Sequence, residues 1–313
     1  MKDFKEYIAT SLAISEKREL LRNGTAAPKM REQCKMKAFD AVTWQAALLL
    51  EARRKLVTSA NSQTKLDKAQ ATDTGYANRG LTLSSAMEAR PFIGGRFTAC
   101  FGATVSCALA CVGSQTGQGA LPSSKIARIG RTLAMHVDMK HFNALLDCEI
   151  ESERMRQAIF GFKLAFRFNV ASDHWRLATE CAKRNKLVKF YDYSAIPNAA
   201  YEHARQIASG NASWDSQPYV QRVYSRKDGP KSDLIARAML KDGFGISVVF
   251  DIKKGDTLPE FWNGSPVIDG DVNDLWFLRA PKDSAFVVGL RVKGSNKQKQ
   301  QAIDSGFAVK VGA

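Results

Sequence analysis

Three cysteines stand close together in this chain, spaced Cys100-x6-Cys107-x3-Cys111. Thiolates bind zinc and iron–sulfur clusters, and three of them so near in sequence can converge on one centre. Cys107 and Cys111 share a face if the segment between them is helical. The spacing differs from the C-x2-C of zinc ribbons. A fourth ligand could be His136, His141 or Cys148, or that position could stay open for substrate. The plain alternative is three small buried thiols packing a helix. Cys34 and Cys181 lie elsewhere. The amino-terminal segment, amphipathic and carrying acids, lacks the apolar core of a secretory signal. The expected location is therefore the reducing cytoplasm, where disulfides are rare and clustered cysteines read as metal-binding or catalytic.

The second set of candidates is carboxylates where strands appear to stop. Arg167-Phe168-Asn169-Val170-Ala171-Ser172-Asp173 closes an apolar run and precedes a helical stretch. Asp173 could be a nucleophile or a general acid/base, with Arg167 and Asn169 beside it for substrate. It could equally cap the helix that follows. Asp192 stands between Tyr191 and Tyr193, whose rings could stack on a base or could simply pack. Asp251 follows Val249-Phe250. Asp269 and Asp271 lie in Ile268-Asp269-Gly270-Asp271, which also reads as a turn. Asp173, Asp192 and Asp251 are the catalytic candidates, and Asp269 joins the substrate-binding set. Clustered aspartates could alternatively hold a divalent cation, as in nucleases. Arg291 and Lys293 follow a late strand, where barrels often bind phosphate.

Those residues need a scaffold that brings strand ends together. From residue 163 onward, apolar strands alternate with helical stretches: 163–169, 187–191, 219–224, 245–250, 266–268 and 286–290 as strands, with helices over 173–184, 199–209 and 231–241. This alternation predicts parallel βαβ units. Polar residues end successive strands, which favours an α/β fold of TIM-like (β/α) barrel type, regular or irregular, with its active face at the carboxyl ends. Two helices are expected over 123–160, and a short strand over Arg96–Ala99. The first sixty residues read as helical, with Arg53, Arg54 and Lys55 in the last turn of a helix around Trp44–Leu50. Residues 59–82 read as a polar loop or exposed hairpin. The expected division is a helical extension and loop at 1–90 and a barrel-like catalytic domain at 91–313. No dinucleotide fingerprint or P-loop is present.

The chain has 313 residues, with 46 Lys+Arg against 31 Asp+Glu and a net charge of +15. Residues 1–150 hold 21 basic and 13 acidic side chains, and residues 151–313 hold 25 and 18, so no basic tail explains the excess. A positive charge spread through a folded body suits a polyanion, and DNA is the expected partner. Apolar content of 45% excludes a mostly disordered chain. No apolar run approaches the roughly 18 residues of a membrane span, so no membrane partner is expected.

Several segments together resemble a known family. The cysteine cluster, the Arg167–Asp173 strand end, FYDYS followed by Pro197-Asn198, VVFDIKKGDTLPEFWNG, VIDGD and VGLRVKG resemble the bacteriophage "gene product 88" proteins from about residue 92 to the carboxyl terminus. A weaker resemblance is to phage DpdA-type enzymes, relatives of the tRNA-guanine transglycosylases. That resemblance implies a TIM-like barrel, an aspartate nucleophile, a second acid/base aspartate and a structural zinc. It also implies exchange of guanine in DNA for a 7-deazaguanine base such as preQ0. The chain departs from that pattern because its cysteines precede the strands. Three expectations follow. The first is a DNA-guanine transglycosylase, a glycosyltransferase that modifies DNA with zinc or an iron–sulfur cluster on the cysteines. The second is a non-catalytic DNA-binding or host-takeover protein with a structural metal. The third is a metal-dependent nuclease.

Overall fold

Period-two apolar runs separated by amphipathic helices give a layered α/β structure, seen in a computed structural model. It describes residues 37–58, 66, 71–86, 88–93, 97–109, 111, 113, 117–208, 220–281 and 284–311. In chain order the elements are α1 (Ala38–Leu50), β1 (Val57–Thr58), α2 (Ala71–Thr74), β2 (Tyr76–Leu81), α3 (Arg90–Ile93), α4 (Val105–Leu109), α5 (Pro122–Val137) and α6 (Met139–Ile159). Next come β3 (Lys163–Arg167), α7 (Trp175–Arg184), β4 (Lys189–Ser194), α8 (Pro197–Ala208), β5 (Gln221–Ser225), α9 (Pro230–Lys241) and β6 (Gly245–Phe250). The chain closes with β7 (Phe261–Trp262), β8 (Ser265–Asp269), β9 (Phe286–Arg291), α10 (Asn296–Asp304) and β10 (Ala308–Val309). Prolines at the first turns of α5 and α9 suit those starts, where an N–H would lack a partner anyway.

The strands form one sheet in the order β1-β2-β3-β4-β5-β6-β9-β8-β7, with β10 also pairing with β6. From β2 through β6 to β9 and β8 all neighbours are parallel. The strands at the two edges, β1 and β7, are two-residue antiparallel additions. The expected closed barrel is corrected here: the sheet is open. Closure needs a continuous parallel series with a consistent stagger. That series breaks after β6, where β9 takes the next place, β8 lies outside it, and β7 turns back antiparallel. The expected division near residue 90 also gives way, because β1 and β2 belong to the same sheet as β3–β10. The helix around Trp44 ends at Leu50, so Arg53–Lys55 follow it rather than fill its last turn. Residues 97–99 form no strand; only Cys100 bridges to Asp173. Expectations for residues 1–36, 94–96 and most of 59–70 lie outside the described residues.

Because β2 to β6 are neighbours in sequence order, right-handed crossovers place every connecting helix on one face. On that face Leu164, Phe166 and Phe190 pack against α6 and α7, and Ile246, Val248 and Phe250 pack with α8 and α9. On the opposite, concave face, Ala165, Tyr191, Val223, Phe286 and Val288 are covered by a plug of Leu275, Trp276 and Phe277 around the short 3-10 turn Trp276–Leu278. A buried polar network crosses this face. Arg167 pairs with both oxygens of Asp274 at 2.7 and 2.8 Å, and the Tyr191 hydroxyl donates to Asp274 and to Asn78. Burial opposes the charge on Arg167, but Asp274 outweighs it and holds the guanidinium protonated.

Candidate metal centre and reaction site

The segment after β2 climbs over the carboxyl ends of β3, β4 and β5, and two small residues let it lie close. A Cβ on Gly102 would stand 2.9 Å from Ala195 Cβ and 3.0 Å from Asp173 Oδ2, and one on Gly113 would stand 2.6 Å from Ala171 Cβ. Lys227, just after β5, donates to the Gly102 carbonyl at 2.7 Å. The Thr104 hydroxyl donates to Asp228 and accepts the Cys107 N–H at 3.1 Å, as a helix cap does. α4 also packs against α10, which tethers the cysteine segment on its other flank.

This placement brings the three thiols beside Asp173. Cys100 points at the Ala171 carbonyl, 3.7 Å away, and its backbone bridges to Asp173, whose N–H donates to Ala99. Burial pushes the thiols of Cys100 and Cys107 up to about 12, and repulsion from Cys111 and Asp173 adds to it. Thiols in such a setting stay neutral until a cation takes the proton's place. Among the described residues no three His, Cys, Asp or Glu side chains are close enough to share one metal ion. The other expected ligands are engaged elsewhere. His141 Nε2 bonds to the Leu50 carbonyl at 2.8 Å, His136 packs edge-on against Phe97, and Cys148 is buried on α6.

Asp173 is buried, and both of its oxygens are taken. Oδ1 accepts from the Ser194 hydroxyl at 2.7 Å and Oδ2 from the Ala195 N–H at 2.9 Å. Burial raises its pKa, although these two bonds and the charges of Arg222 and Lys227 oppose the rise. Asp173 therefore does not cap α7: His174 occupies that position, without a side-chain cap.

A family model, described as gene product 88, matches residues 48–310. The chain belongs to the gene product 88 family. Comparison with curated proteins and with solved structures gives no match. The family match reaches back beyond residue 92 to take in the end of α1 and the whole of β1 and β2. It therefore covers the first strands of the sheet as well as the cysteine segment.

The remaining candidates of this family member divide by face. Tyr191 and Tyr193 point to the concave side, where Tyr191 is fully buried against Phe277 and Arg167 lies 4.5 Å over the Tyr193 ring. Neither is an open platform for a base. Asp192, one residue between them, faces the helices instead. It accepts from Asn169 Nδ2 and from the Tyr193 N–H, and Asn169 Oδ1 accepts from the Ser172 hydroxyl and the His174 N–H, both at 2.9 Å. Asp192 and Asn169 thus hold the backbone that carries Asp173. Burial raises Asp192 to about 6, against the opposing charges of Arg222 and Arg167. Arg222, buried under α7 and α8, completes this layer by donating to the Trp175 carbonyl and Thr179.

Asp251 is exposed, with its N–H bonded to the Val309 carbonyl, and it takes no part in this cluster. Asp269, Asp271, Arg291 and Lys293 form a separate ion network. Arg291 binds both aspartates and Lys293 binds Asp271 at 2.6 Å. Burial alone would raise the two aspartates, but Arg291 and Lys293 hold both below the ordinary range. Arg291 and Lys293 are thus already neutralised by their own acids. Sequence reasoning missed Ser194, Lys227, Arg222 and Gly102. Only Gly102 left a signal, a lone glycine beside a cysteine.

Proposed function

We propose that this protein is a DNA-modifying enzyme whose reaction centre is the cysteine triad with Asp173 at the carboxyl ends of β3–β5. The observation that carries this reading is that three half-buried thiols and a buried carboxylate lie together where parallel strands end, the usual seat of chemistry in such sheets. The donor set fits a thiophilic centre. Three soft thiolate ligands suit zinc or an iron–sulfur cluster. When bound, such a centre would supply a Lewis acid or an electron carrier. The rest of the work falls to the chain. Lys227 holds the cysteine loop, Ser194 and Ala195 orient Asp173, and Phe101, Val105 and Leu109 present an exposed apolar rim. The +15 charge draws the polyanion to that rim.

Guanine exchange for a 7-deazaguanine is the specific reaction that a buried aspartate here would serve, with Asp173 as nucleophile. Asp192 does not fit as its acid/base partner, because it faces the helix layer. Mass analysis of nucleosides from DNA of cells expressing the protein tests the reading. A new nucleoside, lost with Cys107→Ser and with Asp173→Asn, is expected. Unmodified DNA, or modification that survives Cys107→Ser, would overturn it.

A further inference from the structure

Buried hydrogen-bond donors gather on the concave face. Among the described residues, Asn78 Nδ2, Arg167 Nε, Tyr193 Oη, Trp276 Nε1 and both Nε and Nη1 of Arg279 are buried without a partner. Every one of these atoms can donate, and the Tyr193 hydroxyl can also accept. A buried donor left unmade costs about 1–3 kcal/mol, so such a collection is not left empty without cause. These residues are also neighbours. Arg167 lies over the Tyr193 ring, and Arg279 sits near enough to Tyr193 and Asp274 for their charges to be felt. Arg279 is anchored by one nitrogen only, which donates to the Asn273 carbonyl at 3.1 Å. Its other nitrogens are left to face the interior. The acids nearby are already engaged: Asp274 by Arg167 and Tyr191, and Asp269 by Arg291.

We infer that the concave face between β4 and the Leu275–Ala280 plug is a binding site for the anionic oxygens of a small molecule, a carboxylate or a phosphate, held by Arg279, Tyr193 and Arg167. A ligand with several acceptor oxygens and a negative charge satisfies these donors together, which a neutral or donor-rich ligand does not. Arg279 is only half-buried as a residue, which gives the ligand a way in. The site lies on the sheet face turned away from α6–α9. It stands apart from the proposed DNA chemistry and does not require a metal.

The test uses the full chain, titrated calorimetrically with inorganic phosphate and separately with acetate in moderate salt. Saturable binding of at least one anion is expected, and which of the two binds more tightly tells phosphate from carboxylate. Arg279→Gln should weaken it about tenfold or more, and Tyr193→Phe by a smaller factor, since a hydrogen bond to a charged group carries that much. The exposed Arg237→Gln should leave it unchanged. Circular dichroism shows whether each variant is folded. Tyr193→Phe removes only one oxygen, so it keeps the test intact if Arg279→Gln fails to fold. No saturable binding of either anion, or equal weakening by Arg237→Gln and Arg279→Gln, would overturn the inference. So would full retention of binding in Tyr193→Phe and Arg279→Gln, which would mean that water fills the donors.

Discussion

Replacing Asp192 with Asn should change how stability depends on pH. Asp192 is fully buried, and burial lifts its pKa from 3.8 to about 6. Arg222, Arg167 and the Asn169 amide oppose that rise, and the neighbouring Asp173 adds to it. Between those two values the folded protein holds a proton that the unfolded chain has lost. Stability therefore falls as pH rises through this window and levels off above about 6. At about 1.4 kcal/mol per factor of ten, the full fall is about 3 kcal/mol. Asp192→Asn keeps a carbonyl oxygen for Asn169 or the Tyr193 N–H and cannot titrate. The attraction of Arg222 for the ionised carboxylate is already contained in the folded pKa, so the offset that does not vary across the window reflects only how well the amide replaces the neutral carboxyl. The slope is thus the signal, not the offset. Urea unfolding at pH 4.5, 5.5, 6.5 and 7.5 should show the variant gaining on the wild type by about 2 kcal/mol from the lowest pH to the highest, the rest of the fall lying below pH 4.5. Parallel pH profiles for the two proteins would refute the reasoning, and so would a gap that closes in the opposite direction.

Other substitutions test the scaffold. Asp274→Asn leaves Arg167 buried with its charge uncompensated, and should cost about 3–5 kcal/mol in urea unfolding. Gly102→Ala puts a Cβ against Ala195 and Asp173 and should cost about 1–3 kcal/mol. The same change should lift the cysteine segment and lower bound metal, read by elemental analysis of folded protein. Ser295→Ala breaks the capping box at the start of α10, where the serine accepts from the Gln298 N–H and Gln298 reaches back to the Ser295 N–H. A loss of about 1 kcal/mol is expected by thermal or urea unfolding.

Local pattern made much of this molecule readable. Gly245–Phe250 and its neighbours alternate or run apolar, and the structure places strands there because buried parallel strands need little else. β2 escaped because its sequence, Tyr76-Ala77-Asn78-Arg79-Gly80-Leu81, hides polar groups that find partners far away. Asn78 meets Tyr191, and Arg79 meets Glu153 on α6. The open sheet was unreadable because strand order beyond β6 is set by tertiary pairing, not by pattern. The site was half legible. Cysteine spacing pointed to one cluster, and Asp173 lies in it. The period of two in β4 already puts Tyr191 and Tyr193 on one face and Asp192 on the other, so the three cannot act on one ligand. Arg279 and Lys227 left no signal, because they lie in segments without period whose partners come from other loops.

The account rests most on the claim that Cys100, Cys107 and Cys111 carry a metal centre beside Asp173. Its most direct test is the iron, acid-labile sulfide and zinc content of the full chain purified without oxygen, beside Cys107→Ser and Cys148→Ser. The expected result is stoichiometric zinc, or iron with acid-labile sulfide, in the wild type and in Cys148→Ser, with loss in Cys107→Ser. A well-folded wild type holding neither iron nor zinc, even after anaerobic supply of iron and sulfide, would contradict the claim and leave the three thiols as packing.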